Sequence, residues 1–198
     1  MTMTQLPLVR AELGYLRGLP LGESPEALLA RLIEEIPWRQ ESIVLWGRRI
    51  PQPRLISWHG DSGARYRYSG LVLEPQAWTA ALHQIKRTVE AQVGVAFNSV
   101  LANYYRDHRD SMGLHSDDEP ELGDRPIIAS VSLGAERSLV FRARNRLVAP
   151  PYRLRLESGS LLVMRGETQR FWRHQLPKQT RPCGPRVNLT FRTILGGC

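Results

Sequence analysis

The chain has 198 residues, a formal net charge of +8 and 42% hydrophobic residues, which suits one globular domain with a sizeable core and excludes a disordered chain. No apolar run approaches the ~18 residues of a membrane-spanning helix, and the first residues lack the basic and apolar regions of a secretory signal. Cys183 and Cys198 fit neither a disulfide framework nor a zinc motif, so a reduced cytoplasmic compartment is expected; a monomer is expected as well. The excess of 27 Lys and Arg over 19 Asp and Glu suits a polyanionic partner, although charge alone is equally consistent with a solubilising surface.

Residues 1 to about 22 have mixed composition with several Gly and Pro, and read as an arm lying over a single domain that fills 23–198. A helix is predicted to follow. Ser24 is a good N-cap, Pro25 suits the first helical position, and Leu28, Leu29, Leu32, Ile33 and Ile36 form an apolar stripe ending at Pro37. Ser42 to Gly47 reads as a strand running into a turn. Arg48, Arg49 and Arg54 lie beyond it, on either side of Pro51 and Pro53, in a segment that cannot be regular helix. Trp58 to Gly63 reads as a loop, and Tyr66 and Tyr68 alternate with Arg65 and Arg67 in an extended segment. A second helix is expected over about 75–93. Trp78, Leu82, Ile85 and Val89 share one face, Gly94 forms a C-cap, and His83 is an ordinary surface residue.

From Phe97 onward strands and turns dominate. Candidate strands are 98–105, 127–133, 139–141, 152–156, 161–164 and 186–194. The expected fold is mostly β with flanking helices (α+β). It is a double-stranded β-helix, or jelly roll, over about 97–195, with the N-terminal helices packed on one side.

The chemistry concentrates in two stretches. His115 and Asp117 are two residues apart, so in an extended segment they point the same way. A second imidazole from His174 completes a 2-His-1-carboxylate set, which leaves open positions on a non-haem Fe(II) for a co-substrate and O2. In 186–192, Arg186, Asn188, Thr190 and Arg192 alternate with Val187, Leu189 and Phe191. As a strand this segment has one apolar face and one face carrying two guanidiniums. Arginine forks suit carboxylates, so a dicarboxylate ligand such as 2-oxoglutarate is indicated. An exposed edge strand is the plainer alternative. Asn103 and Tyr105 are also spaced i, i+2, and offer an amide and a phenol to a ligand carboxylate.

These segments resemble the AlkB family of Fe(II)- and 2-oxoglutarate-dependent dioxygenases, and within it the DNA-repair branch that acts on duplexes. The resemblance spans about 40–195. It is carried by Asn-Tyr-Tyr at 103–105, His-Ser-Asp-Asp-Glu at 115–119, the stretch 126–135, Gly-Ser-Leu-Leu-Val-Met at 159–164 and Arg-Val-Asn-Leu-Thr-Phe-Arg at 186–192. Trp46-Gly47 and the stretch 66–70 align upstream.

The resemblance implies that His115, Asp117 and His174 hold iron, and that Arg186, Asn188 and Tyr105 hold the distal carboxylate of 2-oxoglutarate. Asn103 and Arg192 would sit near its iron-chelating end. The segment 40–70 would recognise nucleotides. Tyr68 would stack on a flipped base, Tyr66 would line the same pocket, and Glu119 would read the base's exocyclic amino group. Trp46 would fill the gap left by the base, and Arg54 would contact the opposite strand. Trp46 and Tyr68 both stand where phenylalanine is usual. Trp46 also reads as an ordinary core residue, since a large aromatic at a strand end usually packs inward.

The function so implied is oxidative removal of N-alkyl lesions, such as 1-methyladenine and 3-methylcytosine, from DNA bases, releasing succinate, CO2 and an aldehyde. Two alternatives stay open: an RNA or protein demethylase on the same scaffold, and a non-catalytic nucleic-acid-binding jelly roll.

Overall fold

The computed structural model describes residues 2–45, 47–64, 66–68, 71–73, 75–144 and 149–195, with backbone alone for Leu45, Tyr66–Tyr68 and Leu71–Leu73. In chain order the elements are β1 (Thr4–Gln5), β2 (Glu12–Leu16), α1 (Pro25–Glu35), β3 (Ser42–Leu45), β4 (Arg48–Pro51), β5 (Leu55–Gly60), β6 (Tyr66–Tyr68), β7 (Leu71–Leu73), α2 (Ala80–Val93), β8 (Ser99–Tyr105), β9 (Met112–His115), β10 (Ile128–Gly134), β11 (Arg137–Ala143), β12 (Tyr152–Leu156), β13 (Ser160–Arg165), α3 (Thr168–Phe171), β14 (Trp172–Leu176) and β15 (Arg186–Arg192). A major sheet of order β1-β2-β13-β10-β15-β8-β5 faces a minor sheet of order β12-β11-β14-β9, with hairpins β3–β4 and β6–β7 beside them. This is the expected jelly roll, and no helix among the described residues is long and apolar enough to cross a membrane.

Alternation along β15 explains the layering. Val187, Leu189 and Phe191 are fully buried in a cluster with Leu28, Leu32, Leu82, Ile85 and Val89 of α1 and α2. The helices therefore cover the outer face of the major sheet, as expected for elements with one apolar stripe. A second cluster, including Leu101, Phe141, Leu156, Leu162, Met164 and Trp172, lies between the sheets. The polar face of β15 turns toward this second layer.

α1 begins as predicted, with the Ser24 side chain accepting from Ala27 N and Pro25 in the first turn. α2 ends at Gly94 with φ +79, a left-handed conformation that favours glycine. It starts later than the predicted 75. Thr79 is its N-cap, and upstream Gln76 donates to Trp58 O while its own carbonyl accepts from Gly60 N. Those backbone groups are taken by β5, so the helix cannot extend through them. The segment 58–60, expected as a loop, is part of β5 for the same reason: it pairs with 99–101 of β8.

The N-terminal segment is not an arm. β2 pairs with β13, and Leu13, Tyr15, Leu16, Leu19 and Leu21 are buried. The clustered Gly and Pro there form turns around core positions, and a boundary near residue 22 separates nothing in the sheet. β9 and β14 are short and polar in part, so neither shows the apolar run by which a strand is recognised in sequence; their pairing sets His115 opposite His174 at one edge of the minor sheet.

Candidate active site

The strand register builds the site. His115 of β9 and His174 of β14 are direct cross-strand partners, with ring centroids 4.3 Å apart. Directly opposite residues share a face of the sheet, so both imidazoles point into the space between the sheets. Asp117 follows β9 and is 2% exposed. Its Oδ2 lies 3.5 Å from His174 Nε2, and its Oδ1 accepts from Arg192 Nη2 across the gap. The backbone N–H of Asp117 donates to Gln169 Oε1 at 3.0 Å, and Ser116 Oγ donates to Trp172 O at 3.1 Å. The metal loop is thus tied to α3, β14 and β15.

The donor atoms of His115, Asp117 and His174 all lie within 4.8 Å of one another. His115 Nδ1 is 2.9 Å from Gly113 O. A carbonyl only accepts, so Nδ1 carries the proton and Nε2 keeps its lone pair for a metal. Burial, reinforced by neighbouring His115, pushes His174 down to about 3, so its imidazole is neutral and ligand-competent. For Asp117 burial acts upward, but Arg192, His174 and His115 outweigh it and hold the carboxyl below its ordinary range. Two neutral nitrogens and one carboxylate on one face fit a non-haem Fe(II) site.

The pairing of β15 with β8 aligns the other candidates. Arg186 lies opposite Tyr105, and Asn188 opposite Asn103. These four residues, with Arg192, line one cavity together with the metal triad. Arg186 is 1% exposed; its Nη2 donates to Ser132 Oγ at 2.7 Å, and its Nε is buried without a protein partner. Burial lowers its pKa to about 10, which leaves it charged at neutral pH. No carboxylate pairs with it among the described residues. A buried guanidinium with an unused donor suits one end of a dicarboxylate, and the cavity reaches from there to the triad.

Other placements refine the sequence reading. Asn188 donates to Ser130 Oγ and Val131 O, and its Oδ1 accepts from Thr190. Glu119 is half-buried on a broad groove beside the metal loop, bounded by Arg125, Arg144 and Arg170. Tyr66 and Tyr68 occupy alternate positions of β6, opposite Leu73 and Leu71, with only their backbone described. Trp46 lies outside the described residues.

Arg54 requires a correction. It is 3% exposed, with Nε donating to Asn103 Oδ1 at 2.8 Å. β5 pairs with β8 immediately after it, Ile56 lying opposite Asn103, and this draws the guanidinium inward. It braces the cavity wall and does not reach toward an opposite strand. The exposed cations of that segment are Arg48 and Arg49.

Sequence reasoning missed Ser130, Ser132 and Gln169. The serines alternate in a candidate strand, a signal equivalent to that of Asn103 and Tyr105. Gln169 carries no local signal, because its role depends on where α3 meets the metal loop.

Residues 13–192 match the family described as the 2OG-Fe(II) oxygenase superfamily. The chain belongs to that superfamily. Within it the chain is similar to alkB homologues. It is 40% identical over 179 residues to the rat alpha-ketoglutarate-dependent dioxygenase alkB homolog 3, covering 84% of this chain and 59% of that protein. It is 42% identical over 159 residues to the human DNA oxidative demethylase ALKBH2, covering 77% of this chain and 61% of that protein. The chain therefore spans about three-fifths of the length of these curated relatives. A solved structure titled "The structure of OsALKBH1" superimposes with a TM-score of 0.64 at 18% identity, covering 97% of this chain and all of the other, a likeness of fold.

Proposed function

We propose that this oxygenase removes N-alkyl groups from DNA bases, with Fe(II), 2-oxoglutarate and O2. The observation that carries the reading is the single cavity joining the His115–Asp117–His174 triad to the buried Arg186. The names of the relatives supply the substrate class: an alkB homolog 3 dioxygenase and a DNA oxidative demethylase. The +8 charge suits a polyanionic substrate.

Iron bound here would supply oxidation of the alkyl carbon, coupled to decarboxylation of 2-oxoglutarate to succinate and CO2. The chain's own residues do the positioning. His115 presents Nε2 because Gly113 holds Nδ1. Arg192 and Gln169 fix the carboxylate and the backbone of Asp117. Arg186 would anchor the far carboxylate of the co-substrate and leave its keto-acid end to the triad. Leu139, Leu156, Leu162 and Met164 line the cavity and exclude water. An alkyl carbon hydroxylated next to nitrogen is a hemiaminal, which breaks its C–N bond to give aldehyde and the restored N–H. A base inside a duplex cannot reach this depth, so it must leave the stack, at a cost of a few kcal/mol. Glu119, on the adjoining groove, would accept from the base's exocyclic amino group.

The test is release of succinate and aldehyde with oligonucleotides carrying 1-methyladenine or 3-methylcytosine, as duplex, single-stranded DNA and RNA. Lesion-dependent succinate with loss of the lesion supports the reading. Turnover on RNA or peptide alone would reassign the substrate, and nucleic-acid binding without succinate would leave a binding module. Trp46→Ala separates duplex from single-strand use. Loss confined to duplex supports a wedge; equal losses with a large drop in melting temperature assign Trp46 to the core.

A further inference from the structure

The outer face of the minor sheet carries a row of arginines that the metal site does not use. In the β11–β14 ladder Phe141 lies opposite His174, and Arg142 opposite Arg173. His174 turns inward to the triad, so Arg173, its neighbour in the strand, turns outward, and Arg142 shares that face. On the other side of β11, Val140 lies opposite Arg153, which places Arg153 diagonal to Arg142, and Ser138 lies opposite Arg155. The strands β11, β12 and β14 contain no aspartate or glutamate.

The four arginines differ in their surroundings. Arg155 is paired with Glu136 at the end of the sheet. The side chains of Arg142, Arg153 and Arg173 form no hydrogen bond or ion pair among the described residues. Arg142 and Arg153 are exposed, while Arg173 is half-buried and its Nε is shielded from water without a partner. Like charges directly opposite on a sheet oppose folding, and a buried donor left unpaired opposes it further. A bound anion offsets both.

We propose that Arg142, Arg153 and Arg173 form a docking track for the phosphodiester backbone of nucleic acid, distinct from the pocket that receives the reacting base. The identity of the polymer rests on the proposed function; the location rests on the ladder. The track crosses three strands at ~4.8 Å spacing, roughly 10 Å in all, longer than a single phosphate and suited to successive ones. Guanidinium forks match phosphate oxygens. The track begins on the strand that supplies His174, so a polymer held along it stays beside the metal site while one nucleotide enters.

The test is anisotropy titration of unmodified duplex and single-stranded DNA across about 50–200 mM salt, with wild type and the Arg142→Ser/Arg153→Ser/Arg173→Ser variant. Each phosphate contact contributes about 0.9 to the slope of log affinity against log salt for duplex DNA. The variant is expected to lose between about two and three from that slope, and about tenfold or more in affinity at the upper end of the range. Arg155→Ser, whose guanidinium is already paired, should change neither. A lesion-bearing trinucleotide, too short to follow the track, should turn over at the wild-type rate in the triple variant. An unchanged slope and affinity in the folded triple variant would overturn the proposal, as would wild-type protein that binds no nucleic acid, or trinucleotide turnover lost in step with binding. If the triple variant does not fold, Arg153→Ser alone, on the edge strand, should lower the slope by about one, and an unchanged slope there overturns the proposal. Absence of dealkylation with the slope behaving as expected would refute the proposed reaction and leave the track standing.

Discussion

Replacing Arg186 separates a ligand anchor from a structural brace. The guanidinium is fully buried, and burial holds its pKa at about 10, well below the ordinary arginine range. The charge therefore costs the ligand-free chain roughly 3 kcal/mol, a penalty present in full below the folded pKa and relieved only as pH rises through it. Arg186→Met removes that penalty along with the hydrogen bonds to Ser132 Oγ at 2.7 Å and Ala135 O at 3.4 Å. Each such bond is worth about 1 kcal/mol net. The ligand-free variant should thus melt close to wild type, within about 1–2 kcal/mol. Binding should respond very differently. Removing one partner of a buried charge pair costs about 2–5 kcal/mol, roughly 30-fold to several thousandfold in affinity. Arg186→Lys keeps the charge without the fork, and should lose about 10- to 100-fold. The assay is calorimetric titration of 2-oxoglutarate into Mn(II)-loaded protein, with melting curves taken with and without ligand. Wild type should gain thermal stability from 2-oxoglutarate, and Arg186→Met should not. Unchanged affinity together with a large fall in ligand-free melting temperature would show that Arg186 is a brace and that the co-substrate binds elsewhere.

Asp117→Asn should abolish metal-dependent turnover and lower Mn(II) affinity in spin-resonance titrations. Because the native carboxyl is held below its ordinary 3.8, its contribution to metal-free stability is complete above that value and lost as pH falls through the lowered one. The wild type should therefore lose stability more steeply than Asp117→Asn on acidification in chemical-denaturation series; parallel curves would refute the Arg192–Asp117 pairing. Gln169→Ala removes the acceptor for Asp117 N–H and should weaken metal binding about 10- to 100-fold, the usual scale for a partner that orients a ligand; unchanged Mn(II) affinity would make Gln169 a packing residue. Arg54→Ala should destabilise the chain by about 2–3 kcal/mol through loss of its charge-assisted bond to Asn103. A variant as stable as wild type but defective in duplex binding would restore Arg54 to the DNA surface.

Local periodicity and local chemistry were legible along the chain. The i, i+2 alternation of 186–192 fixed which residues of β15 enter the core and which face the cavity, because side chains on a strand must alternate. Ser24, Pro25 and Gly94 marked helix ends because capping is settled within a few residues. His115 and Asp117 were legible for the same reason, as neighbours on one extended segment. Everything that depends on which strands pair was settled by the fold. His174 enters the site through its ladder contact with His115, and Gln169 through the meeting of α3 with the metal loop. Residues 12–16 became part of the sheet because β13 offered an open edge. Arg54 turned inward because β5 pairs with β8 directly after it, and Arg142 met Arg173 because β11 lies beside β14. In each case the partner is far away along the chain, and no local pattern records which distant strand will supply it.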